Sequence, residues 1–238
     1  MYLLAIDTAS SAAGAAVASE NGIIAVIGLN VGKTHSQRFL PSVAALLENA
    51  EIALSELSAI AVTVGPGSFT GLRIGIATAK AWGQALNLPI VPLTTLEALA
   101  FGACDEGLVC PILDARKNEV YSALFRKNRV KNTLEEVFPA AAVAPAELAE
   151  KLCALGEPII FAGDALPLYT VLLREGLGEN FVPAAEDRRV FMASAAALLG
   201  RERLLAGQVT TAHDLQPFYL RRSEAEVKKA QKQEDKQA

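Results

Sequence analysis

Few residues of this chain are placed to do chemistry. The turn best suited to an anion is Gly65-Pro66-Gly67, which leaves an apolar run and is followed by Ser68 or Thr70 as the cap of a helix. Backbone N–H groups at such a helix start can receive a phosphate or a carboxylate. A second polar loop, Thr8-Ala9-Ser10-Ser11-Ala12-Ala13-Gly14, follows Asp7 and offers hydroxyls and amides to a phosphate but no second charge. The two histidines, His35 and His213, each lack a second histidine three or four residues away, so no helix presents a zinc pair. His35, beside Gln37 and Arg38, reads instead as an interface or capping residue. No serine stands in a Gly-x-Ser-x-Gly elbow, Ser68 included, which argues against a serine hydrolase. Cys104, Cys110 and Cys153 have no paired spacing and read as free thiols in a reducing cytoplasm.

The bulk properties narrow the class further. With 238 residues and 52% hydrophobic content the chain can fill a sizeable core. A net charge of -4 leaves no basic field to hold a nucleic-acid backbone unaided, so any RNA must be held mostly by another chain. Charge is spread unevenly. Lys33, Arg38, Arg73 and Lys80 with Asp7, Glu20, Glu48, Glu51, Glu56 and Glu97 are all that residues 1–100 carry of the 22 basic and 26 acidic side chains. Such a half is either tightly packed on itself or open to a partner. The opening MYLLAIDTASS reaches a charge too early for a signal peptide or a membrane span, and a soluble, cytoplasmic protein is expected.

Stepping outward to the elements, Tyr2–Ile6 reads as a buried strand ending in Asp7. Ala13–Ser19 and Ile23–Asn30 flank Asn21-Gly22, a pair that favours a tight hairpin. Thr34 can cap a helix through Phe39, Leu40, Val43, Leu46 and Leu47, with Pro41 inside it as a kink or late start. Ile60–Val64 reads as a strand, Phe69–Ala85 as a helix, Ile90–Pro92 as a short strand and Leu96–Ala100 as a helical piece. Residues 108–114 and 119–126 read as strands, 145–155 as a helix, 158–161 as a strand, 165–175 as a helix and 190–206 as an alanine-rich helix.

This order is similar to the actin, Hsp70 and sugar-kinase (ASKHA) superfamily, an α/β fold of two lobes, each a mixed sheet flanked by helices. The expected division is an N-terminal lobe at 1–102 and a reduced C-terminal lobe at 103–188. A returning helix and segment follow at 189–222, then a charged tail at 223–238 that is expected to fray. In ATPases of that superfamily an aspartate ending the first strand of each lobe holds metal and phosphates across a cleft. The resemblance places Asp7 and Asp114 there, with Ser10, Gly163 and Asp164 as further members of a vestigial nucleotide cleft.

Along the helix after the glycine turn, Gly71, Gly75, Ala79 and Gly83 recur every four residues and form one stripe of small side chains. Glycine inside a helix costs about 0.8–1.0 kcal/mol relative to alanine, so three of them imply the close approach of another backbone. That backbone belongs either to the chain's own sheet or first helix, or to a partner.

The segments LLAIDTAS, KTHSQRFLP (33–41), VGPGSFTGLRIG (64–75), LDARKNEVY (113–121) and PFYLR (217–221) resemble the TsaB family, also called YeaZ, over nearly the whole chain. The resemblance implies a noncatalytic subunit of the bacterial machinery that makes threonylcarbamoyladenosine in tRNA. Such a subunit forms a heterodimer with the catalytic paralogue TsaD, joins TsaE in a ternary complex, and self-associates as a homodimer when TsaD is absent. The metal-binding histidines of the paralogue fall at Thr95 and Leu99 here, so no metal is expected. No cofactor is expected on the chain alone, ATP or ADP is expected only at the complex interface, and tRNA is met only through the complex. Under this resemblance the partner face comprises His35, Arg38, Phe39, Phe69, Gly71, Leu72, Gly75, Ala79 and Gly83. An independent ATP-binding ASKHA-type ATPase or kinase is the competing expectation, and a metallopeptidase the third.

Overall fold

The computed structural model describes residues 1–30, 35–185 and 192–221, and the side chains of all these except residues 35 and 36. Thr34 and the tail at 223–238 lie outside them. The first lobe contains β1 (Tyr2–Asp7), β2 (Ala13–Ser19), β3 (Gly22–Leu29), α1 (His35–Asn49), β4 (Leu57–Gly65), α2 (Phe69–Leu86) and β5 (Ile90–Thr94). Its sheet runs in the order β3-β2-β1-β4-β5, with β1 antiparallel to β2 and parallel to β4. The hairpin loop is Glu20-Asn21 rather than Asn21-Gly22, because Ser19 pairs with Gly22 and only Gly22 takes the positive φ.

α3 (Thr95–Ala103) then leads into β6 (Gly107–Arg116), β7 (Glu119–Asn128), β8 (Thr133–Val143), α4 (Pro145–Cys153), β9 (Ile159–Ala162), α5 (Leu166–Leu177) and β10 (Phe181–Pro183). The second sheet has the order β10-β9-β6-β7-β8, so it repeats the first strand for strand. The second lobe keeps all five strands and is smaller in its helices, of 9 and 12 residues against 15 and 18. β8 and β10 escaped the sequence. β8 carries Pro139-Ala140-Ala141-Ala142 where a strand pattern needs β-branched residues, and β10 is three residues long.

Four apolar clusters hold these layers. On one face of the first sheet, Leu4, Ile6, Val17, Ile60 and Val62 pack against Phe39, Val43 and Leu46 of α1 and Leu72, Ile76 and Ala79 of α2. The other face is paved with alanine: Ala5, Ala16, Ala18, Ala59 and Ala61 meet Ala193, Ala196 and Ala197 of α6 (Ala193–Leu205). Small side chains on both sides bring the backbones close, and a Cβ on Gly200 would stand 2.6 Å from that of Ala61. α3 starts with a reciprocal cap, Thr94 Oγ1 accepting from Glu97 N–H while Glu97 accepts from Thr94 N–H. Its Leu96, Leu99 and Ala100 share a core with Val109, Leu113, Tyr121 and Phe125 of the second sheet, which fuses the lobes. The remaining cluster, around Leu108, Phe161 and Leu173, seats α4 and α5 on the second sheet.

Candidate functional site

The cleft between the sheets brings together Asp7, Asp114, Gly163 and Asp164. Asp7 ends β1 and is 2% exposed. Its Oδ1 accepts from the Thr63 hydroxyl on β4 at 2.8 Å and from the Ala9 N–H at 3.2 Å. Burial pushes its pKa up to about 6 against these two bonds, and the nearby charge of Asp164 adds to the rise. Asp164 follows β9 and is also raised, chiefly by burial. One of its oxygens accepts from the Asp114 N–H at 3.1 Å and the other from the Ser11 N–H at 3.4 Å, so a single carboxylate bridges the lobes. Gly163 permits this, since a Cβ there would overlap the Ile112 carbonyl oxygen. Asp114 pairs with the Arg116 guanidinium at 2.9 Å. Ser10 does not join the site: its hydroxyl donates to Ala12 O within its own turn at 3.1 Å.

The cleft is acidic and tied across by one carboxylate. The Ser11 amide of the loop after β1 and the Asp114 amide of β6 both donate to the Asp164 carboxylate, Asp7, Asp114 and Asp164 converge, and the Arg116 guanidinium beside them is paired with Asp114. Among the described residues no group of three or more His, Cys, Asp or Glu is arranged to hold a metal ion. Thr95 and Leu99, one turn apart on α3, are both buried, with Leu99 in the shared core and the Thr95 hydroxyl without a partner.

At the glycine turn, Ser68 is the cap of α2, its Oγ accepting from Gly71 N–H at 3.2 Å. Ser68 N–H donates to Ala9 O at 2.7 Å and Thr8 Oγ1 to Gly71 O at 2.7 Å, so the loop after β1 lies directly against the start of α2. That contact settles which way the small-residue stripe faces. A Cβ on Gly71 would overlap the Thr8 carbonyl, one on Gly75 would stand 2.5 Å from Thr8 Oγ1, and one on Gly83 would stand 2.8 Å from Ile90 Cδ1. Gly71, Gly75, Ala79 and Gly83 therefore pack on the chain's own sheet, and their assignment to a partner face is corrected. Phe39 and Leu72 are corrected with them, being buried in the first-lobe core. Phe69 is half-buried and stacks on Tyr219 with centroids 4.4 Å apart. Arg38 is exposed, and the side chain of His35 lies outside the described residues.

The outward faces of the two helices are different residues. On α1 they include Leu40, Pro41 and Ala44, and on α2 Thr70, Arg73, Ala77, Ala81 and Gln84. Leu40 is 45% exposed. The glycines mark the inward side of α2. Its exposed side carries Thr70, Arg73, Ala77, Ala81 and Gln84 at helical spacing. Thr63, which holds Asp7, carried no local signal, because it is 56 residues from its partner.

Two mixed sheets in a repeated β-β-β-α-β-α-β order, facing each other over an acidic cleft, define the ASKHA fold class. An activator of 2-hydroxyisocaproyl-CoA dehydratase from Clostridium difficile shares that fold, with a TM-score of 0.50 and 10% identity over 87% of this chain and 97% of its own. A family model described as TsaD, tRNA N6-adenosine threonylcarbamoyltransferase, matches residues 26–229. The tRNA threonylcarbamoyladenosine biosynthesis protein TsaB of Bacillus subtilis is 37% identical over 231 residues, covering 96% of this chain and 97% of its own. A solved Pseudomonas aeruginosa protein, described as uncharacterized with similarity to peptidase YEAZ, superposes with a TM-score of 0.79. It is 28% identical over 92% of this chain and 99% of its own. The chain belongs to the TsaB (YeaZ) family of tRNA threonylcarbamoyladenosine biosynthesis.

Proposed function

We propose that this chain is a noncatalytic subunit that binds and activates TsaD, which transfers threonylcarbamoyl to the adenosine next to the anticodon. The observation that carries this reading is the Asp164 carboxylate, which accepts from Ser11 N–H and Asp114 N–H and so occupies the amides a nucleotide phosphate would need. A cleft filled in this way, with Asp7 buried behind it, suits a scaffold better than a phosphoryl-transfer site, where positive charge must meet the developing negative charge.

The docking surface in this reading is the outer side of α1 and α2. Leu40, Pro41, Ala44, Ala77 and Ala81 make it smooth, and Arg38, Arg73 and Glu48 frame it. A helix pair from each chain can pack there as a four-helix interface. Without TsaD the same face closes on a second copy. TsaE joins as the ATPase, ATP or ADP enters only at the interface, and tRNA is reached in the cytoplasm only through the complex.

Two measurements test this. Co-elution with TsaD on a sizing column is expected from the intact chain, and failure to co-elute removes the partner reading. Calorimetry of the isolated chain with ATP and magnesium is expected to give no heat; binding with turnover would instead favour an independent ATPase or kinase.

A further inference from the structure

We propose that Leu215–Arg221 is a latch that ties the two lobes together across the mouth of the cleft. The segment is anchored upstream at Thr210, which exchanges two backbone hydrogen bonds with Ile90 of the first lobe, at 2.7 and 2.9 Å. A turn closed by Thr211 and Asp214, hydroxyl to carboxylate at 2.7 Å, then delivers Leu215 into the first-lobe core. Phe218 N–H donates to Val64 O at 2.8 Å. The Phe218 carbonyl lies so close to Gly65 that a Cβ there would overlap it, and Gly65 takes a φ of 126°. Tyr219 stacks on Phe69, the first residue of α2, at an interplanar angle of 20°.

The next two residues belong to the other side. Leu220 packs against the core that α3 shares with the second sheet. The Arg221 guanidinium donates to Ala115 O at 3.3 Å and pairs with Glu119. These two residues bracket Arg116, Lys117 and Asn118, three consecutive non-glycine residues with φ of 63°, 54° and 59°. Side chains other than glycine adopt that conformation rarely, and a run of three persists only where its surroundings hold it. Arg221 clamps both ends of the run. Seven residues thus connect the glycine turn and the start of α2 in one lobe to the β6–β7 turn in the other.

The lobes are joined at the α3 core and a second time by this latch. Beside the cleft itself, Ser11 N–H reaches across to Asp164 at 3.4 Å, a long hydrogen bond. The latch therefore fixes the angle between the lobes, and opening the cleft requires either its first-lobe end at Tyr219 or its second-lobe end at Arg221 to let go.

The test labels Cys153, exposed on α4, and an introduced Ser55→Cys at an exposed first-lobe position outside the proposed docking face; Cys104 and Cys110 are buried and do not compete. Interlobe distances from paired spin labels are compared between the parent and a Tyr219→Ala/Arg221→Ala variant, alongside hydrogen exchange and the unfolding midpoint. The latch predicts a broader, longer distance distribution and at least ten-fold faster exchange at the Ser11 and Asp114 amides, with interior amides of β1 and β6 unchanged. An unchanged distribution in a folded variant overturns the proposal. Exchange that quickens evenly over both sheets overturns it too, because the segment would then only add stability. Should the double variant not fold, Arg221→Lys, which keeps the charge and loses the fork, is read by the same criteria.

Discussion

Replacing Asp7 with Asn should stabilise the protein, and more so as pH rises. Burial raises the Asp7 carboxyl from 3.8 to about 6, so between those values the native state binds more protons than the unfolded one. Stability contributed by this group therefore falls as pH rises through the window and levels off above it. At about 1.4 kcal/mol per pH unit, the ionised carboxylate costs about 3 kcal/mol at neutral pH relative to a neutral isostere. An Asn carbonyl can still accept from Thr63 and from Ala9 N–H, while its amide protons need acceptors, which removes about 1–2 kcal/mol of the gain at any pH. Taking the variant minus the parent at each pH cancels that constant. The remaining difference should grow by about 2 kcal/mol between about pH 4.5 and about pH 8, read from guanidinium unfolding. A difference that does not change with pH, or that shrinks as pH rises, would refute the idea that burial raises the Asp7 pKa.

Three further outcomes follow from the packing. Gly75→Leu should destabilise the fold by about 3 kcal/mol or more, because its side chain would be driven into Thr8 and Ile6, and thermal unfolding reads this directly. Ala77→Arg, on the exposed side of the same helix, should leave the unfolding midpoint within about 2 °C and weaken TsaD binding about ten-fold or more, as measured by calorimetry. Thr95→Val should stabilise by about 1 kcal/mol in the same unfolding assay, since the buried hydroxyl has no partner.

The two-lobed fold was legible in the sequence because its first half alternates cleanly between apolar strands and helices with recognisable starts. Asp7 at the end of β1 and Ser68 as the cap of α2 are both local features, and both stand where the pattern put them. β8 was not legible, because sheet pairing with β7 decides its state rather than its alanine-rich composition. The stripe on α2 shows where periodicity stops: it reports that something approaches closely but not from which side. Only the position of Thr8 decides that, and it comes from a turn 63 residues away. Asp164 bridges partners 153 and 50 residues distant, beyond any spacing rule.

Threonylcarbamoyl transfer to tRNA, followed while this chain is titrated into a fixed amount of TsaD with TsaE and ATP present, tests the central claim most directly. A partner-activating subunit gives no product alone and raises the rate saturably, levelling off near equal amounts of the two chains. Transfer by this chain without TsaD, or a TsaD rate indifferent to its presence, would contradict the account.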